Sequence, residues 1–229
     1  MLMILRDRLF ERNPPERDAK KIYIFCEGRK REYQYFEYFE EIDSRINIII
    51  YKLHPEENNS PNGLLKIAET CLIPSEENPE PEFFKDMNQE DEVWLVFDVD
   101  PDKSNSRFPQ ILNVRQKCKE YGWNTALSNP CFEVWLYFHF FAEKPEMPDL
   151  NKCNSWKNHI DKKLPGGFNS KKHPLFIEQA VVNAKQNFSL EGSFPVVGST
   201  EMHYLGKTIY TLLKKKLNLA KTSAIPQNP

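Results

Sequence analysis

Two short apolar runs in this 229-residue chain end in carboxylates. Ile22–Cys26 runs into Glu27 and Gly28, and Val93–Phe97 runs into Asp98, Asp100 and Asp102. Side chains on an extended strand return to one face every second residue, so a strand continuing through Asp98 and Asp100 aims both carboxylates the same way. Carboxylates that close raise each other's pKa unless a cation lies between them. A hard divalent ion, Mg2+ or Mn2+, suits such an all-oxygen pair and leaves its other positions to water and phosphate oxygens. The chemistry that follows is phosphoryl transfer on a nucleic acid, the ion neutralising phosphate charge and acidifying a bound water. Glu27 then serves as general acid/base or as a further ligand. Glu27, Asp98 and Asp100 are therefore the expected catalytic and metal residues, with Asp102 a further candidate ligand. Gly28 would let a substrate approach the backbone closely. A plainer alternative makes the Asp-x-Asp-Pro-Asp run a turn in which Asp side chains cap backbone amides.

Other candidates surround these. Arg29, Lys30 and Arg31 follow the Glu-Gly turn at a helix start, which favours anions, and read as phosphate contacts or as solvated surface. Glu133 is the only acid in the apolar stretch 131–141, so if buried it needs a structural partner or a supporting role at the site. Asn129 before Pro130 reads as a helix N-cap, with a supporting catalytic role as the alternative. Lys162, Lys163, Lys171, Lys172, Lys214 and Lys215, with Trp156 and Phe168 between them, suit nucleic acid, where phosphates supply affinity and bases stack. The triple lysine 214–216 also fits a helix end matched to its dipole.

Several chemistries are disfavoured. The five cysteines are odd in number and show no CxxC spacing, and the five histidines show no HxH or HExxH, so neither a disulfide framework nor a soft-metal site is expected. There is no Gly-Lys-Ser/Thr phosphate loop. The longest apolar run, near 134–142, is broken by His139 and too short to span a bilayer. The N-terminus lacks a secretory pattern, so a cytoplasmic protein away from membranes is expected.

Strands and helices must position these groups. β-rich runs predict strands at 22–26, 46–53, 93–97 and 123–127, and helical spacing predicts helices at 32–43, from Pro61 to about Leu72, at 107–121 with Gly122 as the stop, and from Pro130 to about 141. This alternation predicts βαβ units: an α/β fold with a mostly parallel four-stranded sheet flanked by helices. Beyond it the pattern is helical, at 150–163, 174–188 and 200–217, separated by loops at 164–170 and 189–199. The expected division is a lead-in at 1–20, an α/β core at 21–145 with an acidic insertion at 74–92, and a basic, mainly helical extension packed on the core at 146–229.

Taken together, Glu27-Gly28 after one strand and Asp98-x-Asp100-x-Asp102 after a later one resemble the TOPRIM domain of topoisomerases, primases and OLD-family nucleases. Cys26-Glu27-Gly28, Glu32 with Tyr35-Phe36, Val96-Phe97-Asp98-x-Asp100, Ser128-Asn129-Pro130-Cys131-Phe132-Glu133-x-Trp135-Leu136 and His139-Phe140 are similar to the RloB family. Gly198-Ser199-Thr200-x-Met202-His203 extends the likeness toward the C-terminus. The resemblance implies a TOPRIM-like, Mg2+-dependent nuclease of abortive-infection or restriction–modification loci, cutting DNA or RNA, tRNA included, beside an ABC- or AAA-type ATPase. It implies Glu27 as general acid/base and Asp98 and Asp100 as metal ligands. Lys30-Arg31-Glu32 stands where the family usually has lysine, threonine and glutamate. No tyrosine nucleophile is marked, so strand passage is not implied.

Charge separates along the chain. The formal net charge is −2, yet residues 51–100 hold 13 Asp/Glu against 3 Lys/Arg, and residues 151–229 hold 12 Lys/Arg against 4 Asp/Glu. A basic extension favours an anionic partner. The acidic insertion supports a competing reading, a non-catalytic regulatory module docking on an ATPase through Glu76, Glu77, Glu80 and Glu82. The oligomeric state is left open by the sequence.

Overall fold

The β-branched and aromatic runs pair into a sheet whose two faces are both covered. In a computed structural model, which describes residues 10–86 and 90–224, β1 (Lys20–Cys26), β2 (Ile46–Tyr51), β3 (Glu92–Asp98) and β4 (Asn124–Asn129) lie parallel in the order β2-β1-β3-β4. Alternate residues feed opposite cores, as the period of two requires. Ile22, Ile24, Cys26, Trp94 and Val96 face one core, and Tyr23, Phe25, Val93, Leu95 and Phe97 face the other.

The first core is closed by α1 (Arg31–Phe36, continued by a 3-10 turn, Glu37–Phe39), α4 (Glu133–Tyr137), α5 (Cys153–Lys163), α6 (Ile177–Gln186) and α7 (Met202–Ala224). Here Tyr35, buried under α4, lies 3.1 Å from His139 Nε2 through its hydroxyl, and the His139 Nδ1–H donates to the Trp135 carbonyl at 3.0 Å. The second core is closed by α2 (Pro61–Leu72) and α3 (Ser104–Tyr121). Ser60 caps α2, its hydroxyl accepting from the Gly63 N–H at 3.2 Å behind Pro61 in the first turn, which is the pattern of a helix start. Gly122 ends α3 with a φ of 64°, as expected of a helix stop.

Three expectations are corrected. The sheet has five strands, because β7 (Ser199–Thr200) joins the free edge of β4 in antiparallel register, Thr200 opposite Ser128 and Ser199 opposite Asn129. The stretch expected as a loop at 189–199 also holds strands: β5 (Leu190–Glu191) and β6 (Phe194–Pro195) form a hairpin packed on α3 through stacked Phe194 and Phe108, their rings 4.4 Å apart. Two-residue strands are too short to show any period. Finally, Asn129 is not a helix cap. β4 runs through it, its Nδ2 donates to the Pro195 carbonyl at 2.7 Å, and α4 begins only at Glu133 and covers a short part of the apolar run. No helix among the described residues is long and apolar enough to cross a membrane. The first nine residues of the expected lead-in, residues 87–89 of the acidic insertion and the last five of the extension lie outside the described residues.

Candidate functional site

The chain crosses from β1 to β2 through α1 on one face, then returns through α2 on the other to β3, which lies on the far side of β1. The winding reverses between β1 and β3, and open α/β sheets bind ligands beyond the carboxyl ends of the strands at such a point. Glu27 and Asp98 stand there. The Glu27 N–H continues the ladder to the Val96 carbonyl at 3.0 Å, and the Asp98 N–H donates to Glu27 Oε2 at 3.1 Å.

Strand alternation sends the two side chains to different sides. Glu27 follows the parity of Tyr23 and Phe25 toward α3, where the Arg107 guanidinium pairs with its Oε2. Asp98 follows Trp94 and Val96 toward α1, α4 and α5. There burial holds its carboxyl well above the ordinary range, and Glu32, Glu27, Cys153 and Glu133 raise it further. Glu32, on α1, is pushed up to about 7, first by burial and then by Glu133 and Glu27, with its own backbone amide and Lys157 acting the other way. Glu133 is met at 3.7 Å by Lys157 of α5, whose ammonium is held in its charged form chiefly by that carboxylate. Four carboxylates thus share the strand ends. Arg107 attends Glu27, Lys157 attends Glu133, and Asp98 and Glu32 between them are dominated by burial and by other acids.

Asp100 does not extend this cluster by strand alternation. The strand ends at Asp98, Asp100 has a φ of 49°, and its N–H donates to the Pro130 carbonyl at 3.1 Å. Asp102 is exposed in a 3-10 turn, Pro101–Lys103. The strand does not continue extended through Asp100, so the expected alternation does not carry Asp98 and Asp100 to one face, and the acids whose charge acts on Asp98 are Glu32, Glu27 and Glu133. The space beside Gly28 is also taken: a Cβ there would run into the Glu32 carboxylate, so this glycine makes room for Glu32. Sequence reasoning left Glu32, Arg107 and Lys157 out of the site. Glu32 lies five residues beyond Glu27 in a charged helix start, and the other two reach the strand ends only through the fold.

A family model described as RloB-like protein matches residues 22–209. The chain belongs to the RloB-like protein family. Comparisons with curated proteins and with solved structures give no match to it. The matched span takes in every residue of the acid cluster, together with both cations that pair with it.

The basic candidates of this RloB-like protein fall into separate places. Arg31 opens α1 close enough to Lys157 for the two charges to oppose each other. Arg29 is tied by its guanidinium to the Pro55 and Glu57 carbonyls, at 2.8 and 2.9 Å, and Lys30 is exposed before α1. Lys162 and Lys163 are exposed in the last turn of α5. Lys171 lines a cavity of about 380 Å³ with Arg12, Glu37 and Glu41, and Lys172 is partly buried. Lys214 and Lys215 are exposed in the middle of α7.

Asp98 and Glu32 are carboxylates costly to hold charged without a cation, which suits a hard ion, and the thiols of Cys131 and Cys153 adjoin Asp98. The thiol of Cys131 is held protonated, first by burial and then by Cys153, Asp98 and Glu133. Among the described residues no three His, Cys, Asp or Glu side chains are grouped to hold one ion. The residues fit an ion held by two carboxylates, Asp98 and Glu32, with the rest of its shell supplied from outside the protein.

Proposed function

We propose that this RloB-like protein is a TOPRIM-like, Mg2+- or Mn2+-dependent phosphodiesterase that cuts DNA or RNA, tRNA among its candidate targets, in antiphage defence. The observation that carries this reading is that Asp98 and Glu32, buried at the β1/β3 switch point, are both held above ordinary carboxylates, with Glu27 and Glu133 near enough to raise them further. Such a pair favours a divalent ion, which when bound supplies charge neutralisation at the phosphate and a more acidic water. Asp98 and Glu32 would hold it. Glu27 would take the proton of the attacking water, and Arg31 and Lys157 would draw the phosphodiester to the cluster's rim. The basic residues Lys162, Lys163, Lys171, Lys172, Lys214 and Lys215 would hold more of the nucleic-acid backbone. Incubation of purified protein with Mg2+ or Mn2+, labelled DNA and tRNA, alone and with a partner ATPase, is expected to give cleavage in wild type that falls at least about 100-fold in Glu27→Gln and Asp98→Asn. Equal cleavage by wild type and both variants would refute the assignment.

One observation favours a second, non-catalytic reading, a regulatory dock on an ATPase: Glu76, Glu77, Glu80 and Glu82 are all exposed on a segment free of helix and strand. This reading expects a stable complex that survives Asp98→Asn and dissolves when those four glutamates become glutamine. The phosphodiesterase reading expects Asp98→Asn to abolish cleavage whatever happens to the complex.

A further inference from the structure

Arg107 lies in α3 with its side chain almost wholly shielded, only 7% exposed. A guanidinium in that position is costly unless each face of its fork finds an acceptor. Here both do. Its Nε donates to the Asp98 carbonyl at 2.9 Å, and one terminal nitrogen pairs with Glu27 Oε2. The Asp98 N–H donates to that same Oε2. These three bonds close a ring joining the end of β1, the end of β3 and the first turns of α3. Among the described residues, both of these bonds to the Glu27 carboxylate fall on Oε2.

We propose that Arg107 is the positioning residue of the site, fixing the Glu27 carboxylate so that Oε1 meets the attacking water. The proposal rests on the phosphodiesterase reading above. In the step it serves, the water oxygen bonds to phosphorus while one of its protons passes to Glu27 Oε1. The electron pair of the breaking P–O ester bond leaves with the departing oxygen, which takes a proton from solvent. Arg107 forms and breaks no bond in this step. Its planar fork fixes two acceptors at once, which the single ammonium of a lysine does not reproduce. Misplacement of a catalytic group by about 1 Å can cost on the order of 100-fold in rate, so orientation alone gives a measurable effect.

The test compares Arg107→Gln, Arg107→Lys and Arg107→Gly with wild type and Glu27→Gln on labelled single-stranded DNA and RNA with Mg2+, all confirmed folded by circular dichroism. Arg107→Gln is expected to lose about 100-fold in kcat with KM for the nucleic acid within about twofold, and Arg107→Lys to recover only a small part of it. Added guanidinium ion is expected to raise the kcat of Arg107→Gly at least about tenfold by refilling the space, and to leave Glu27→Gln unchanged. A structural role alone gives a loss that guanidinium does not reverse, and that result overturns the proposal, as does an unchanged kcat in Arg107→Gln. If Arg107→Gly does not fold, Arg107→Lys decides: full wild-type kcat overturns the proposal and a reduced kcat at wild-type KM upholds it. Wild-type turnover separates the two levels. If wild type turns over nothing, the phosphodiesterase reading fails and the proposal with it; turnover with an indifferent Arg107→Gln sinks the positioning role alone.

Discussion

Glu32 packs against Gly28, shielded from water and faced by two other carboxylates. Its proton is held more tightly in the folded chain, with a pKa of about 7 against 4.5, so folding takes up a proton between those values. By linkage, the metal-free protein loses stability as pH rises through that window and regains it as pH falls. Glutamine carries no charge to desolvate. Metal-free Glu32→Gln is therefore expected to exceed wild type by roughly 3 kcal/mol at pH 8 in urea unfolding, with the gap closing toward pH 4.5. A gap that stays constant or widens on acidification would contradict this account. An ion at Asp98 and Glu32 removes the same cost, so Mg2+ is expected to raise the melting temperature of wild type and to leave Glu32→Gln and Asp98→Asn unmoved. The sequence marked Glu27 and Asp98 because each ends an apolar run. It hid Glu32 in a run of charges that looks like any solvated helix start, and it hid Arg107 because nothing local says that residue 107 returns to the ends of strands 71 or more residues apart.

Among the elements, the four parallel strands and helices α2 and α3 were legible because each is long enough to show its period; α2 begins and ends where the sequence placed it, whereas the helix expected at 32–43 is α1, only Arg31–Phe36, with a 3-10 turn to Phe39. The edge of β4 was not legible, since it is closed by single residues. Glu201 does much of this: its N–H donates to the Leu127 carbonyl at 2.7 Å, its Oε2 accepts from the Leu127 N–H at 3.1 Å, and its other oxygen pairs with Arg115 of α3. Arg115 also donates to the Ser193 carbonyl at 2.7 Å, which ties in the β5–β6 hairpin. Removing one partner of a buried ion pair leaves the other charge uncompensated. Glu201→Ala is expected to cost about 3 kcal/mol, and Arg115→Ala, whose side chain is less shielded, about half of that. Because the two share one network, the double variant should cost clearly less than the sum. Additive losses in urea unfolding would show that the hairpin and the edge are held by something else.

Across the whole molecule, charge is sorted by place rather than balanced throughout. The exposed acids Glu76, Glu77, Glu80 and Glu82 lie in the segment between α2 and β3, whereas Lys162, Lys163, Lys214 and Lys215 are exposed on α5 and α7. The same α5 that ends in Lys162 and Lys163 carries Lys157 to Glu133, so a nucleic-acid strand laid along this helix would run from those lysines, past the exposed Asp161, to the acid cluster. Binding driven by phosphate contacts weakens with salt, because each neutralised phosphate releases a counterion. Measured without divalent ions, the slope of log K against log salt for single-stranded nucleic acid should therefore become shallower by roughly 1.4 when Lys162 and Lys163 are both changed to glutamine. Lys214 and Lys215 lie on α7, which packs on α6 and β4, and their replacement asks whether the strand continues that far. An unaltered slope in the α5 variant would detach the basic helix from the substrate path. A slope lost only in the α7 variant would place the strand along α7 rather than α5.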